Sequence, residues 1–112
     1  MPAHTSERTM RDVLAPLAAV ALIAQAHPAL AAPGVEIGTI YADGEDRGLG
    51  VRLHLHEPAD RVYERWANII GSDNPDSHTR LIDSQPAHRK TFGAFAVTPI
   101  ELIGYPPARE KA

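Results

Sequence analysis

The segment Val13 to Ala32, VLAPLAAVALIAQAHPALAA, limits what this chain can become more than any other. An almost unbroken apolar run does not stay in water, so it must pack, cross a membrane or be removed. It falls short of the ~20 apolar residues that a bilayer span requires, and His27-Pro28 closes it, so no membrane span is expected. A secretory signal is one reading. Val13 to Ala26 supplies the apolar core and Ala29-Leu30-Ala31 a small-residue cleavage site, with cleavage near Ala31. Against it, Glu7 and Asp12 cancel Arg8 and Arg11, and Pro16 interrupts the core. The first helix of a cytoplasmic domain, from about residue 12 to 27, is the other reading, and it accounts for those features. Asp12 can cap the free first-turn amides. Pro16 near the first turn removes few hydrogen bonds. The residue before Pro28 avoids helical geometry and ends the helix. Val13, Leu14, Leu17, Ala21 and Ala24 follow helical spacing, which places Leu14, Leu17, Ala21 and Ala24 against a sheet. We adopt the helix, and with it the cytoplasm; a secreted protein is the alternative.

The chain has 112 residues, 44% of them hydrophobic and 22% charged, which suits one folded domain. Without the first helix, about 80 residues would remain, a marginal size for a core. No cysteine is present, so no disulfide supports the fold and no thiolate chemistry is open to it. The net charge is -3: residues 1–33 are neutral, 34–76 carry -5 and 77–112 carry +2. No dense Lys/Arg patch exists, so direct nucleic-acid binding is not expected.

Residues 1–11 read as a polar arm, 12–107 as a single domain and 108–112 as a charged tail. After the Pro33-Gly34 turn, Val35 to Tyr41 and Leu49 to His56 alternate as strands around an acidic tip at Asp43 to Gly48. In the second strand Val51, Leu53 and Leu55 point one way and Arg52, His54 and His56 the other. Pro58 to Ile70 reads as a helix ended by Gly71, with Val62, Trp66, Ile69 and Ile70 as its apolar stripe and Trp66 in the core. His78 to Asp83, Arg89 to Phe95 and Ile100 to Tyr105 complete the strands. The order α-β-β-α-β-β-β, joined by hairpins and one helix, predicts an α+β domain: a mostly antiparallel sheet with helices on one face.

The run His27 to Pro33, the strand pair, Arg65-Trp66-Ala67 ahead of Gly71, and Gly104-Tyr105-Pro106 together resemble small α+β proteins of high-GC actinobacteria and their phages or mobile elements. The use of nine arginines against two lysines fits such a genome. The resemblance implies an intracellular α+β domain; it implies no activity and transfers no catalytic residue.

His54 and His56 are the sharpest chemical feature. Alternation puts both imidazoles on one strand face, within reach of one metal ion, with His78, His88, Glu57 or Glu36 as a third ligand by type. The plainer account is that a half-buried strand needs polar residues on its wet face, and Arg52 beside them would repel a cation. We therefore assign no metal, cofactor or catalytic residue. The strand–helix pattern from His56 to Gly71 is also similar to half of a glyoxalase-type module, the metal-dependent enzyme alternative. Asp43, Glu45 and Asp46 lack the remaining ligands of a calcium loop. Ser72, Ser77 and Ser84 lie in no nucleophile elbow and read as turn residues.

The expected function is a non-enzymatic binding domain, acting on a protein partner or on itself. Phe92, Ala94, Phe95, Val97, Ile100, Leu102, Ile103 and Tyr105 put apolar groups on both faces of the last hairpin. One face can pack under the helices, and the other marks an interface. A homodimer through Phe95, Ile103 and Tyr105 is the expectation.

Overall fold

The computed structural model describes residues 8–106. It is an α+β domain whose elements are α1 (Leu14–Ala26), β1 (Gly34–Ala42), β2 (Glu45–His56), α2 (Asp60–Ile69), β3 (Arg80–Ile82), β4 (Gln85–Phe95) and β5 (Thr98–Tyr105). The strands form one sheet in the order β1-β2-β5-β4-β3. All neighbours are antiparallel except β2 and β5, which run parallel. A parallel pair needs a long crossover, and α2 with the β3–β4 hairpin supplies it. The last strand thus lands in the middle of the sheet. Of the expected polar arm, residues 1–7 lie outside the described residues, and Met10–Val13 form a 3-10 turn leading into α1. The charged tail at 108–112 also lies outside them.

Alternation along β2 and β5 sorts the sheet into two faces. Val51, Leu53 and Leu55 of β2 join Ile100 and Leu102 of β5 in the core, with Ile23 of α1 and Tyr63, Trp66, Ala67 and Ile70 at α2. Both helices therefore cover one face, as the element order predicts. Trp66 is 5% exposed, and its indole N–H donates to the Ala31 carbonyl at 3.0 Å. Tyr63 is fully buried, and its hydroxyl donates to the Pro75 carbonyl at 2.7 Å. Two glycines permit close layers. A Cβ on Gly93 would collide with the Ile70 carbonyl at the end of α2, and one on Gly50 with the Pro99 carbonyl of β5.

One sequence expectation is overturned in α1. Its buried residues are Pro16, Ala19 and Ile23. Leu14 and Leu17 are 63% and 48% exposed, Ala21 is exposed as well, and Ala24 is exposed while bordering the space between α1 and the sheet. The helix is apolar on every side, so spacing could not single out a face. Shape decides instead: Ala19 and the proline ring admit a close approach that a leucine would block. Asp12 also acts differently from expectation, its carboxylate accepting from the Thr9 amide at 2.8 Å. The end at Ala26, before His27-Pro28, is as expected.

The hairpins are tighter than the sequence reading. The acidic tip contracts to the turn Asp43-Gly44, and the β3–β4 turn is Asp83-Ser84. The β4–β5 turn is Ala96-Val97, with φ of 49° and 67°. Left-handed geometry suits this hairpin twist, but a β-branched residue adopts it at a cost of roughly 1–2 kcal/mol. Val97 gains nothing in return, since it is 98% exposed. Val97→Gly is expected to stabilise the fold by about 1 kcal/mol, the relieved strain less the added chain entropy of glycine. Urea denaturation checks this; an unchanged or lower midpoint would show that the turn carries no such strain.

Candidate functional site

The sheet face away from the helices holds the candidate residues. Register alone aligns Glu36 of β1 with Arg52 of β2, and Arg52 with Glu101 of β5. Arg52 Nη1 lies 3.1 Å from Glu36 Oε2, and its Nε lies 2.8 Å from Glu101 Oε1. Lys90 Nζ reaches Glu101 Oε2 at 3.0 Å. Glu101 is only 5% exposed, so its carboxylate sits between two cations and away from water. Burying a charge is tolerable only with such partners.

His54 and His56 lie on this face as alternation predicts. His54 Nε2 is 3.0 Å from Glu36 Oε1, and its Nδ1 is 2.8 Å from the Tyr105 hydroxyl oxygen. The Tyr105 ring is near-parallel to both imidazoles, with centroids 5.8 Å from His54 and 5.0 Å from His56. The hydrogen bond from His54, then Arg52, holds the Glu36 carboxyl below its ordinary range. Burial, and then the charges of Glu101 and Glu36, push the Tyr105 hydroxyl up, so it stays protonated at neutral pH. The line carboxylate–imidazole–phenol has the connectivity of a proton relay. Neither the cavity under α1 nor the cleft beside His78 is lined by Glu36, His54 or Tyr105.

Metal ligation finds little support in this arrangement. Both ring nitrogens of His54 are engaged. Of the proposed third ligands, His78 pairs with Asp43, and Glu36 is held by Arg52 and His54. His88 faces Arg80 across β3–β4, where burial and then the cations Lys90 and Arg80 lower its pKa. Among the described residues, no group of three or more His, Asp or Glu side chains is arranged to hold an ion.

A second cluster joins residues that no sequence spacing connects. His78 Nε2 meets Asp43 Oδ1 at 2.9 Å, and His78 Nδ1 meets Ser77 Oγ at 3.0 Å. These residues border an open cleft of about 720 Å³. The atoms repeat a serine–imidazole–carboxylate order, yet the two amides at the serine are not free to stabilise an oxyanion. The amides of Ser77 and His78 already donate to the Asn74 and Lys90 carbonyls. Ser77 Oγ also meets Thr91 Oγ1 at 3.0 Å, and Thr91 meets Ser72 Oγ at 2.6 Å. The cluster clasps the 72–79 loop to the β1–β2 turn. Arg89 strengthens the same loop through Asp76, at 2.7 Å, and over the Tyr63 ring at 4.1 Å.

Of the residues read as an interface, Ile103 is buried and Phe95 and Tyr105 are half-buried. Ile103 is 8% exposed, and Phe95 packs against the helix-side core. Tyr105 lies beside the histidines, and His78 meets the Phe92 ring edge-on at 4.7 Å. Apolar groups do occupy both sides of the last hairpin: Ile100, Leu102 and Ile103 are buried, Phe92, Phe95 and Tyr105 are half-buried, and Ala94 and Val97 are exposed. Exposed large apolar side chains occur on α1 (Leu14, Leu17 and Leu22), on β1 (Val35 and Tyr41), on β3 (Leu81 and Ile82) and at the β4–β5 turn (Val97).

Compared with known proteins, the chain matches no protein family, no curated protein and no solved structure.

Acid should loosen this network in a defined direction. Glu36, Asp43 and Asp76 all have carboxyls lowered by their partners, chiefly His54, His78 and Arg89. A lowered folded pKa contributes stability above the ordinary carboxyl value and loses it as pH falls through the folded value. The urea midpoint is therefore expected to fall as pH drops below about 4.5, the ordinary value for Glu36. An Asp76→Asn, Glu36→Gln variant should start lower at neutral pH and lose less on acidification. Equal acid sensitivity of variant and wild type would contradict the assignment.

Proposed function

We propose that this protein is a non-enzymatic binding domain of the cytoplasm that associates with a second copy of itself through the outer face of α1. One observation carries the reading. Every residue of α1 except Gln25 is apolar, and a helix apolar all round is normally covered all round. The sheet covers the side of Pro16, Ala19 and Ile23 and leaves Leu14, Leu17 and Leu22 exposed at 63%, 48% and 47%. Ala18 and Ala21 lie between these leucines, and small residues there would let a second helix approach closely. A two-fold pair sets the same surface against itself, so one helix face suffices for both partners.

Packing of α1 on the sheet supports the cytoplasm over secretion. Ile23 belongs to the core, and Thr98 Oγ1 donates to the Ala15 carbonyl at 3.5 Å. No described helix is long and apolar enough to cross a membrane. The metal-dependent enzyme has less support, because Glu36 and Tyr105 occupy both ring nitrogens of His54.

Protein purified from its native cells tests both parts. Its intact mass should include residues 14–26, and light scattering at micromolar concentration should give about twice the 12.1 kDa chain mass. Leu17→Glu should return the mass to that of one chain without lowering the thermal midpoint. A species beginning at Ala32 would defeat the cytoplasmic reading. A wild-type monomer would defeat the self-association, and an unchanged Leu17→Glu dimer would place its interface elsewhere.

A further inference from the structure

Beneath the inner side of α1 lies a cavity of about 260 Å³. Its walls include Ile23 of α1, Val35 of β1, Val51 and Leu53 of β2, Trp66 of α2 and Ile100 of β5, and His27 stands on its rim. The lining offers few groups to hold water. The indole N–H of Trp66 is already given to the Ala31 carbonyl, and the His27 carbonyl accepts from Leu30. A water molecule needs two to four polar partners to sit in such a place. The cavity is also partly open to solvent, and Val35 in its wall is 48% exposed, so a molecule can enter without unfolding the domain.

From these features we infer that the cavity is a binding site for a small, uncharged, largely hydrocarbon molecule. The size follows from volume. A dry apolar cavity of ~150 Å³ admits benzene, so 260 Å³ takes about ten non-hydrogen atoms. The absence of charge follows from the lining. None of its side chains is Asp, Glu, Lys or Arg, and an ion there would lose its hydration without a partner. A single hydroxyl or carbonyl on the ligand can face the mouth and meet water or the His27 ring. This site is separate from the outer face of α1, so either can fail while the other holds.

Trp66 is the only tryptophan in the chain and forms part of the wall, so its fluorescence reports occupancy directly. Straight-chain 1-alkanols from butanol to dodecanol serve as the probe, titrated into the whole protein. The expected result is one saturable site with a shift in Trp66 emission. Binding should tighten about fourfold per added methylene, then level off or reverse near octanol to decanol, when the cavity is full. Octanoate should bind at least tenfold more weakly than octanol. Val20→Phe, which fills the space from α1, should abolish the response. Val35→Asp, at the half-exposed mouth, should weaken it even if Val20→Phe fails to fold. Emission that ignores every alkanol, or a response with no chain-length limit, would overturn the assignment. So would emission that changes with protein concentration alone, which would seat a second copy in the cavity.

Discussion

α1 is apolar on every side, and the sheet can cover only one of them. Much of the character of this domain follows from that mismatch. The helix rests on Pro16, Ala19 and Ile23, a narrow ridge of small and medium side chains. Such a ridge brings the helix down at Ala19, which is fully buried. It also leaves the flanks unfilled, and the cavity walled by Ile23, Val35 and Trp66 lies on one flank. The larger leucines, which would have filled that space, point outward. The same rotation therefore accompanies both the cavity and the exposed leucines of α1.

On the far side of the sheet the balance is electrostatic. Glu101 interrupts the apolar run of β5 and is nearly as buried as its neighbours. Arg52 and Lys90 make that burial tolerable, and register supplies them: Arg52 lies directly across from Glu101, and Lys90 stands one strand over. Glu36 then holds the other side of Arg52, and His54 the other oxygen of Glu36. The result is a fixed row of alternating charge running across β1, β2, β5 and β4. Such a row orders the strands more than it stabilises them, because removing one member strands its partner. It also ties His54 into the row through Glu36.

Legibility in the sequence followed how strongly each pattern constrains its residues. The alternation of β2 could be read residue by residue, because Val51, Leu53 and Leu55 differ sharply from Arg52, His54 and His56. The stripe of α2 was equally plain, and Trp66 lies where it predicts. The face of α1 was not legible, since apolar residues surround the helix and spacing carries no contrast. Strand order was also hidden. Nothing local tells β5 to insert between β2 and β4, and hence Ile103 to be enclosed rather than offered to a partner. The Asp43–His78 contact spans thirty-five positions and depends on that order. Glu101 left a weak trace, an acid within Ile100 to Ile103, whose meaning needed its neighbours across the sheet.

Both the cavity and the outer apolar face depend on α1 being a packed part of the domain. Hydrogen exchange measured residue by residue tests this most directly, because an undocked helix of this length opens freely in water. If the helix is held, the amides of Ile23 to Ala26 will exchange slowly, within about tenfold of those of Val51 to Leu55 in β2. If those α1 amides exchange at unprotected rates while β2 and β5 remain protected, the helix is not part of the fold. The cavity beneath it and the interface above it would then both be lost.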